Sequence, residues 1–357
     1  MSDFNLLMEA VKKENKETLI QELKNTGNVL ADEQKLLRSE RKSMNDILRD
    51  IEKLKGRIPF DEYVKLMSEY ENIENGLQQR EKHYIDLYLK KREEEDARPL
   101  NQFSLDERKA LHKYVLATYK AIDRVSGISY EVIADRRPKE YLSNKVRTAH
   151  SDGRRPIIYV PSHIGKNDIQ AISEAIGGNY YLLSGDFEHI QGGINAPFLA
   201  VLGRYYFNEW IKEQRQSIPQ KTIDHLKSGG DLMWFFEGTW NMSENGILLP
   251  AYWSIVSVAQ EANAIIIPIG VDQYDYRVFN LVPIKTGNHF KINIGQPFDM
   301  NLYGKSNEEK TAAVNALTDA LATLKYEIWC TEPMKKRKKL DMSSWDKFKE
   351  KRYKRVW

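Results

Sequence analysis

A histidine and an aspartate lie close together where an apolar segment gives way to a helical one. The segment Pro161–Asp168 reads Pro-Ser-His-Ile-Gly-Lys-Asn-Asp and follows the apolar run Ile157–Val160. One short turn separates His163 from Asp168, which lets the carboxylate contact the imidazole. An imidazole held in this way can take a proton from a hydroxyl group, so the pair predicts general-base catalysis. The alternative is structural, with Asn167 or Asp168 capping the helix that follows.

Two later segments end apolar runs with residues suited to binding. Trp234–Thr239 reads Trp-Phe-Phe-Glu-Gly-Thr, and Ile265–Val271 reads Ile-Ile-Ile-Pro-Ile-Gly-Val. The Glu and Thr can hydrogen-bond a polyol or a phosphate, and the glycine between them permits close backbone approach. Taken singly, the first segment is also explained as a strand end with a capping turn, and the second as a core strand whose proline marks an edge or an end.

In their order along the chain these segments resemble the glycerolipid acyltransferases, which include glycerol-3-phosphate and 1-acylglycerol-3-phosphate acyltransferases. The resemblance extends over about residues 155–300 and includes a glycine-led aromatic strand, Gly203–Phe207, between the first two motifs. It implies an acyltransferase of the His-x4-Asp type. His163 would be the general base on the acceptor hydroxyl, and Asp168 would orient it and balance its charge.

The resemblance also implies substrates and a set of substrate-binding residues. The donor would be an acyl-CoA or acyl-carrier-protein thioester, and the acceptor a lipid or polyol hydroxyl. Direct attack on the thioester would need no metal, no cofactor and no covalent enzyme intermediate, with a backbone N–H near the helix start stabilising the oxyanion. The residues implied to line the substrate site are Lys166, Gly203, Arg204, Glu237, Gly238, Thr239 and Pro268.

The chain departs from the family pattern in two places. An arginine usually ends the second motif, where this chain has Asn208 and Glu209, and another usually follows Glu-Gly-Thr, where it has Trp240. Because a guanidinium fork suits a phosphate, these departures leave two acceptor classes open. One is phosphorylated, such as glycerol 3-phosphate or lysophosphatidate, and the other is a sugar or glycolipid. The remaining cations that could substitute are Lys166, Arg204 and Arg277.

Two further functions stay open beside the acyltransferase. A catalytically decayed core could bind lipid or acyl carrier protein as an interaction protein, with Glu209 and Trp240 as signs of drift. A hydrolase could use the same His and Asp on water, but no serine or cysteine elbow is evident.

The elements around these motifs alternate between two types after Pro156. Short β-branched or aromatic runs predict strands at Ile157–Val160, Tyr180–Leu183, Leu232–Phe236, Ile265–Ile269, Phe279–Val282 and Phe290–Ile294. Amphipathic segments predict helices at Asn167–Ile176, Pro219–Ser228, Ala251–Glu261 and Asn307–Trp329. This alternation predicts an α/β fold with a mostly parallel sheet flanked by helices. The His-Asp turn then lies at the carboxyl end of a strand, where such sheets bind ligands.

The first hundred residues are rich in Glu, Lys, Leu and Gln, which favours helices. Three are predicted, at Asp3–Lys24, Ala31–Lys55 and Asp61–Glu95, with a break at Gly56–Pro59. They form a helical hairpin or coiled-coil extension, which is either a solvated arm, a docking site or a lid. Ser104–Glu107 reads as a capping box that opens a further helix through about Val125. The predicted domains are 1–100 (helical extension), 101–150 (helical lead-in), 151–331 (acyltransferase domain) and 332–357 (tail).

Charge and composition limit the classes of molecule that the chain is expected to bind and its expected location. The net charge is only +3, so no nucleic acid is expected, and the single cysteine, Cys330, excludes a disulfide framework. No signal peptide is evident, and no run approaches the ~18 apolar residues of a spanning helix. The tail has a solid basic block, Lys335–Lys339, which is followed by aromatic residues interleaved with further lysines and arginines. The expected location is therefore cytoplasmic and peripheral to the inner face of the membrane, with the tail on anionic lipid.

Overall fold

The computed structural model describes residues 29–134, 155–164, 168–184, 201–206, 211–238, 248, 251, 253–277 and 286–331. The chain divides into two compact units. The first contains the helices α1 (Val29–Leu54) and α2 (Phe60–Asp96), and the second contains the other helices and a mixed sheet. The predictions for Asp3–Lys24, Phe279–Val282 and the tail 332–357 lie outside the described residues.

The two helices of the first unit form an antiparallel hairpin. Leu37 and Met44 of α1 share an apolar cluster with Leu77 and Tyr84 of α2. Arg41, beside this seam, donates from Nε to Glu81 Oε1 at 2.9 Å and also pairs with Glu74. The predicted hairpin and the break between its helices are confirmed. Supercoiling of the two helices stays a prediction.

The second unit contains five helices and eight strands within the described residues. The helices are α3 (Leu105–Ser126), α4 (Asp168–Ile176), α5 (Lys212–Lys227), α6 (Ser254–Glu261) and α7 (Asn307–Cys330). The strands are β1 (Ile128–Ala134), β2 (Ile157–Pro161), β3 (Tyr181–Ser184), β4 (Arg204–Tyr206), β5 (Leu232–Trp234), β6 (Ile265–Arg277), β7 (Thr286–Ile294) and β8 (Phe298–Asp299).

Capping residues fix where the long helices begin. The Ser104 side chain accepts from the backbone N–H of Glu107 while the Glu107 side chain accepts from the backbone of Ser104, so the predicted capping box of α3 is confirmed. An equivalent box, formed by Ser306 and Glu309, opens α7. Each box satisfies N–H groups that a helix start leaves without an intrahelical partner.

The strands pair in the order β1-β7-β6-β2-β5-β3-β4, and β8 pairs with the start of β6. From β6 to β4 all neighbours are parallel. β7 runs antiparallel to β6, and β1 runs parallel to β7. The predicted mostly parallel sheet flanked by helices is confirmed, while β1 and β8 were not predicted.

Alternating side chains of the parallel strands fill two layers. Ile158 and Val160 of β2 belong to a large core cluster with residues of α5, α6 and α7. Tyr159 between them must point to the other face, where its ring meets that of Tyr180 at a centroid distance of 6.3 Å. The apolar strands are therefore buried on both sides, as parallel strands usually are.

Two prolines lie inside secondary-structure elements, although the sequence suggested that each would mark an end of its element. Pro219 lies inside α5 instead of at its start, because the helix already begins at Lys212. Pro268 lies inside β6, where β8 pairs only as far as Ile266 and β7 only from Ile269. Since Pro268 falls in the gap between these two partners, its missing N–H removes no ladder bond on that side.

Candidate active site

The predicted His-Asp pair is in contact. β2 ends at Pro161, the turn carries Ser162, His163 and Ile164, and α4 begins at Asp168. His163 Nδ1 lies 2.8 Å from Asp168 Oδ2. Because an ionised carboxylate only accepts hydrogen bonds, Nδ1 donates and Nε2 is the nitrogen able to take a proton. The sequence prediction that these two side chains interact is confirmed, and their catalytic role stays a prediction.

The side chain of Asp168 is shielded from solvent. Its side chain is fully buried, whereas 13 % of the His163 side chain is exposed. The same Oδ2 atom accepts a second hydrogen bond from the backbone N–H of Ile164 at 2.9 Å. Both bonds come from the turn just before α4, so the carboxylate fixes the loop and the imidazole together. The buried carboxylate is thus placed to balance a positive charge that forms on the imidazole during a reaction.

An aromatic ring fixes the plane of the imidazole. The rings of His163 and Phe235 stack with centroids 4.0 Å apart and an interplanar angle of 29°. Phe235 directly follows β5 and is buried. Its role was not foreseen, although it lies within the Trp-Phe-Phe-Glu-Gly-Thr segment. The sequence could have indicated this contact, because residues that follow neighbouring parallel strands lie at the same edge of the sheet.

Glu237 joins the ends of β2 and β5. It is fully buried, and its Oε1 accepts a hydrogen bond from the backbone N–H of His163 at 3.3 Å. Gly238 follows at an exposed position, with its N–H donating to Phe235 O at 2.9 Å. The sheet therefore brings the first and second predicted motifs together. Acceptor binding by Glu237 and Gly238 stays a prediction.

Ser162 anchors the turn to β6. Its N–H donates to Ile269 O at 3.0 Å, and its hydroxyl donates to Val271 O at 3.2 Å. The Val271 N–H in turn donates to the hydroxyl at 3.0 Å. This serine continues the ladder beyond the last β2 pair and sets the position from which His163 projects. Its place between a proline and the histidine was visible in the sequence, but its partner on β6 was not.

Gly203 and Arg204 lie elsewhere on the sheet. The register forms a row of Tyr159, Met233, Leu182 and Arg204 across β2, β5, β3 and β4. Arg204 is therefore level with Tyr159, four residues before His163, and three strands away from β2. At about 4.8 Å per strand, that is a lateral separation of roughly 14 Å. Their substrate-binding role stays a prediction that no described contact with the His-Asp turn supports.

The surroundings of β4 explain its glycine. Gly203 has a φ of +96°, and a Cβ atom there would lie 2.4 Å from the Tyr181 ring. Beneath the strand, Arg108 donates to Val201 O at 2.9 Å and lies over the Tyr181 ring. Burial lowers the pKa of Arg108, and the positive charge of Arg204 lowers it further. A packing requirement is thus sufficient to account for Gly203.

Of the other predicted site residues, Pro268 is buried in the core and the rest lie outside the described residues. Pro268 is buried in β6 beside Val160, and its carbonyl accepts from Gly295 N at 2.9 Å. Lys166 and Thr239 lie outside the described residues, as do Asn208, Glu209 and Trp240. The side chain of Arg277 also lies outside them. Their predicted roles stay predictions.

The described residues contain neither a metal-binding cluster nor a membrane-spanning helix. Among the described residues, no three His, Cys, Asp or Glu side chains are grouped so that they could hold a metal ion. Within the same part of the chain, every helix falls short of the length and apolar character needed to cross a membrane.

Comparison with known proteins gives one family match and one similar solved structure. The family model for acyltransferases matches residues 137–272, a range that contains the His-Asp turn, Glu237 and Pro268. Among solved structures, the chain is similar to a 1-acyl-sn-glycerophosphate (LPA) acyltransferase, PlsC, from Thermotoga maritima. The two share 16 % identity with a TM-score of 0.42, over 63 % of this chain and 84 % of that one. A comparison with curated proteins gave no match.

Proposed function

We propose that the chain is an acyltransferase that moves a fatty acyl group from a thioester to a hydroxyl of a glycerolipid-type acceptor, as the match of residues 137–272 to the acyltransferase family model suggests. The donor is acyl-CoA or acyl-carrier protein. His163 acts as the general base, and Asp168 orients it. The observation that supports this proposal best is the 2.8 Å contact between His163 Nδ1 and the buried Asp168 carboxylate.

The reaction consists of one displacement. The acceptor oxygen attacks the thioester carbonyl carbon while its proton passes to His163 Nε2. The tetrahedral intermediate then expels the thiolate, which takes the proton back from the imidazolium. An ester and a free thiol result, and every proton is accounted for without a covalent enzyme intermediate.

Asp168 supports this step electrostatically. As the imidazole becomes positively charged, the adjacent carboxylate neutralises it in a site from which most water is excluded. The second bond, from Ile164 N–H, keeps the carboxylate in place in both protonation states of the histidine. Phe235 holds the ring plane, so the imidazole loses little orientational freedom when an acceptor binds.

A neutral acceptor, such as a sugar or glycolipid, is the second candidate. The sequence favours it because Asn208, Glu209 and Trp240 stand where the family usually has its two arginines. A decayed binding protein is the less favoured reading, since a fully buried aspartate bonded to a partly exposed histidine is an arrangement suited to catalysis.

An acceptor screen tests the proposal. Purified full-length chain is incubated with radiolabelled palmitoyl-CoA or palmitoyl-carrier protein and with glycerol 3-phosphate, lysophosphatidate, monoacylglycerol or a glycolipid. We expect labelled ester with at least one acceptor and a loss of about 10²- to 10⁴-fold in His163→Ala. His83→Ala, which removes an exposed histidine of α2, is the matched control. Full turnover in His163→Ala would refute the catalytic assignment, and no ester with any acceptor would favour the decayed reading.

The tail supplies the proposed route to the membrane. Residues 335–339 are all basic, and each basic residue near an anionic surface contributes about 1 kcal/mol of attraction. Replacing these five residues by glutamine is expected to abolish sedimentation with phosphatidylglycerol vesicles at low salt. Equal sedimentation of both proteins would contradict attachment by the tail.

A further inference from the structure

Tyr180 and Ser173 form a buried hydrogen-bonded pair between the sheet and α4. Tyr180 immediately precedes β3 and is 1 % exposed, and Ser173 lies in the middle of α4 and is fully buried. The Tyr180 hydroxyl is in hydrogen-bond contact with Ser173 Oγ. Ser173 Oγ also bonds the backbone carbonyl of Ile169 at 2.5 Å. The pair therefore connects the start of β3 to the first turn of α4.

The direction of both hydrogen bonds follows from their acceptors. A backbone carbonyl only accepts, so the single proton of the Ser173 hydroxyl is donated to Ile169 O. The Tyr180 hydroxyl must then donate to Ser173 Oγ. Because a buried donor that loses its acceptor also loses the hydration it gave up on folding, this bond strongly favours one placement of α4 relative to Tyr180.

Asp168 lies close to this pair. It is the first residue of α4 and directly precedes Ile169, whose carbonyl binds Ser173. Burial raises the pKa of the Tyr180 hydroxyl, the hydrogen bond to Ser173 lowers it, and the negative charge of Asp168 raises it. The Tyr180 ring also meets that of Tyr159, so the tyrosine lies on the side of the sheet that carries α4.

α4 needs a directional contact because it is short and packs largely through apolar side chains. It has nine residues, and its buried face includes Ala171, Ile172 and Ile176. Apolar contacts are non-directional, so they hold a helix on a sheet without fixing its rotation or its position along its axis. A hydrogen bond depends on both distance and angle. The Tyr180–Ser173 bond therefore restrains both movements.

A rotation or shift of α4 would move the carboxylate away from the imidazole. Asp168 Oδ2 accepts from His163 Nδ1 at 2.8 Å and from Ile164 N–H at 2.9 Å, so both bonds depend on where α4 begins. We propose that Tyr180 is a positioning residue of the acyltransferase site, which acts through Ser173 to hold Asp168 against His163. This inference rests on the proposed function and extends the site to residues outside the motif segments.

Two substitutions break the bond from either side. Tyr180→Phe keeps the ring and removes the donor, and Ser173→Ala removes the acceptor. Each should lower kcat about 10- to 100-fold and leave the KM of donor and acceptor nearly unchanged, because the base is misplaced while substrate binding is not. The double variant should lie within about 2-fold of the slower single variant, since both changes remove one bond.

Thr222→Val is the matched control. It removes a second fully buried hydroxyl, which donates to the carbonyl of Ile218 at 3.0 Å within α5. The chemistry lost is the same as in Ser173→Ala, but Asp168 is not on this helix. We expect wild-type kcat in Thr222→Val. Melting curves of all variants separate a loss of stability, which both hydroxyls share, from a loss of positioning.

Nitrogen NMR of the histidine side chains tests the inference without turnover. In chain labelled with 15N-histidine, the imidazole shifts distinguish the Nδ1–H from the Nε2–H tautomer, and the signals missing from His163→Ala assign His163. Wild type and Thr222→Val should contain the Nδ1–H form of His163. Tyr180→Phe and Ser173→Ala should contain both tautomers, because the carboxylate no longer selects one.

The outcomes separate this inference from the proposed function. Wild-type kcat and a single His163 tautomer in folded Tyr180→Phe would overturn the inference and leave the proposed function intact, as would a raised KM at constant kcat. Mixed tautomers in Tyr180→Phe, with no acyl transfer by wild type to any acceptor, would refute the proposed function and retain the positioning role. If Tyr180→Phe does not fold, Ser173→Ala decides both, because alanine favours the helix and breaks the same bond.

Discussion

The buried carboxylate of Glu237 accepts a hydrogen bond from the backbone N–H of His163. This contact joins two turns that are 74 residues apart in sequence and follow neighbouring parallel strands. It assigns Glu237 a positioning role in the turn, in addition to any contact with the acceptor. The two roles give different kinetics, which a substitution separates.

Glu237→Gln should lower kcat about 10-fold and leave the acceptor KM nearly unchanged, because the amide keeps an acceptor oxygen but not its charge. Glu237→Ala removes the acceptor and should lower kcat about 100-fold. Steady-state kinetics with the best acceptor of the screen measures both. A large rise in acceptor KM at constant kcat would instead assign Glu237 to substrate binding.

Asp168→Asn should lower kcat about 10²- to 10⁴-fold, since a neutral amide neither favours the imidazolium nor fixes the Nδ1–H tautomer. Asp319→Asn changes an exposed aspartate of α7 in the same way and should leave kcat unaltered. Circular dichroism checks that both variants are folded. A fully active Asp168→Asn would mean that the His163–Asp168 contact serves only the structure of the turn.

Two neighbouring carboxyl groups away from the candidate active site, Asp123 and Glu174, predict how the stability of the fold depends on pH. Asp123 of α3 is 5 % exposed, and burial together with the neighbouring carboxylate of Glu174 in α4 raises its pKa to about 8. Between pH 4 and pH 8 the folded chain therefore retains a proton that the unfolded chain releases. The free energy of unfolding falls as pH rises through this window and levels off above it.

Asp123→Asn removes this titration and should flatten the decline. Urea unfolding at intervals from pH 5 to pH 9 measures the slope. Asp106→Asn, at an exposed position of α3, should retain the wild-type slope. Identical slopes in wild type and Asp123→Asn would contradict the raised pKa of Asp123.

Gly270→Ala should lower the free energy of unfolding, and Gly76→Ala should raise it. At Gly270 the new methyl group would lie 2.8 Å from Leu324 Cβ and 3.0 Å from the Leu324 carbonyl carbon, which forces α7 away from β6. The expected cost is about 1–3 kcal/mol. Gly76 lies within α2 with nothing within 4 Å of the new atom, so alanine there should stabilise the helix by about 0.5–1 kcal/mol. Thermal unfolding of both variants provides the measurement, and a stabilised Gly270→Ala would refute the packing argument.

Local patterns were sufficient for most helices and for the His-Asp contact. The capping box at Ser104 and the spacing of His163 and Asp168 depend only on residues within one turn. β1 was missed because its partner, β7, lies about 160 residues later, and its short run ending at Ala134 does not stand out alone. The predicted length of β6 was also wrong, since its second half is a strand through pairing with β7.

The parts of the site that depend on strand register could not be predicted from the sequence. The level of Arg204 follows from three successive strand pairings, none of which is encoded near the arginine itself. The bond between Ser162 and Val271 likewise requires β2 and β6 to be neighbours.

β2 and β6 differ in length, and this makes the two flanks of the His163 turn unequal. The last residue of β2, Pro161, pairs with Ile269, yet β6 continues to Arg277 in company with β7. The eight further residues amount to roughly 27 Å of extended chain. A ribbon thus rises on one flank of the histidine, whereas the neighbouring strand on the other flank, β5, ends at Trp234. Within the described residues, extended chain therefore reaches past the His163 turn on the β6 side and stops short of it on the β5 side.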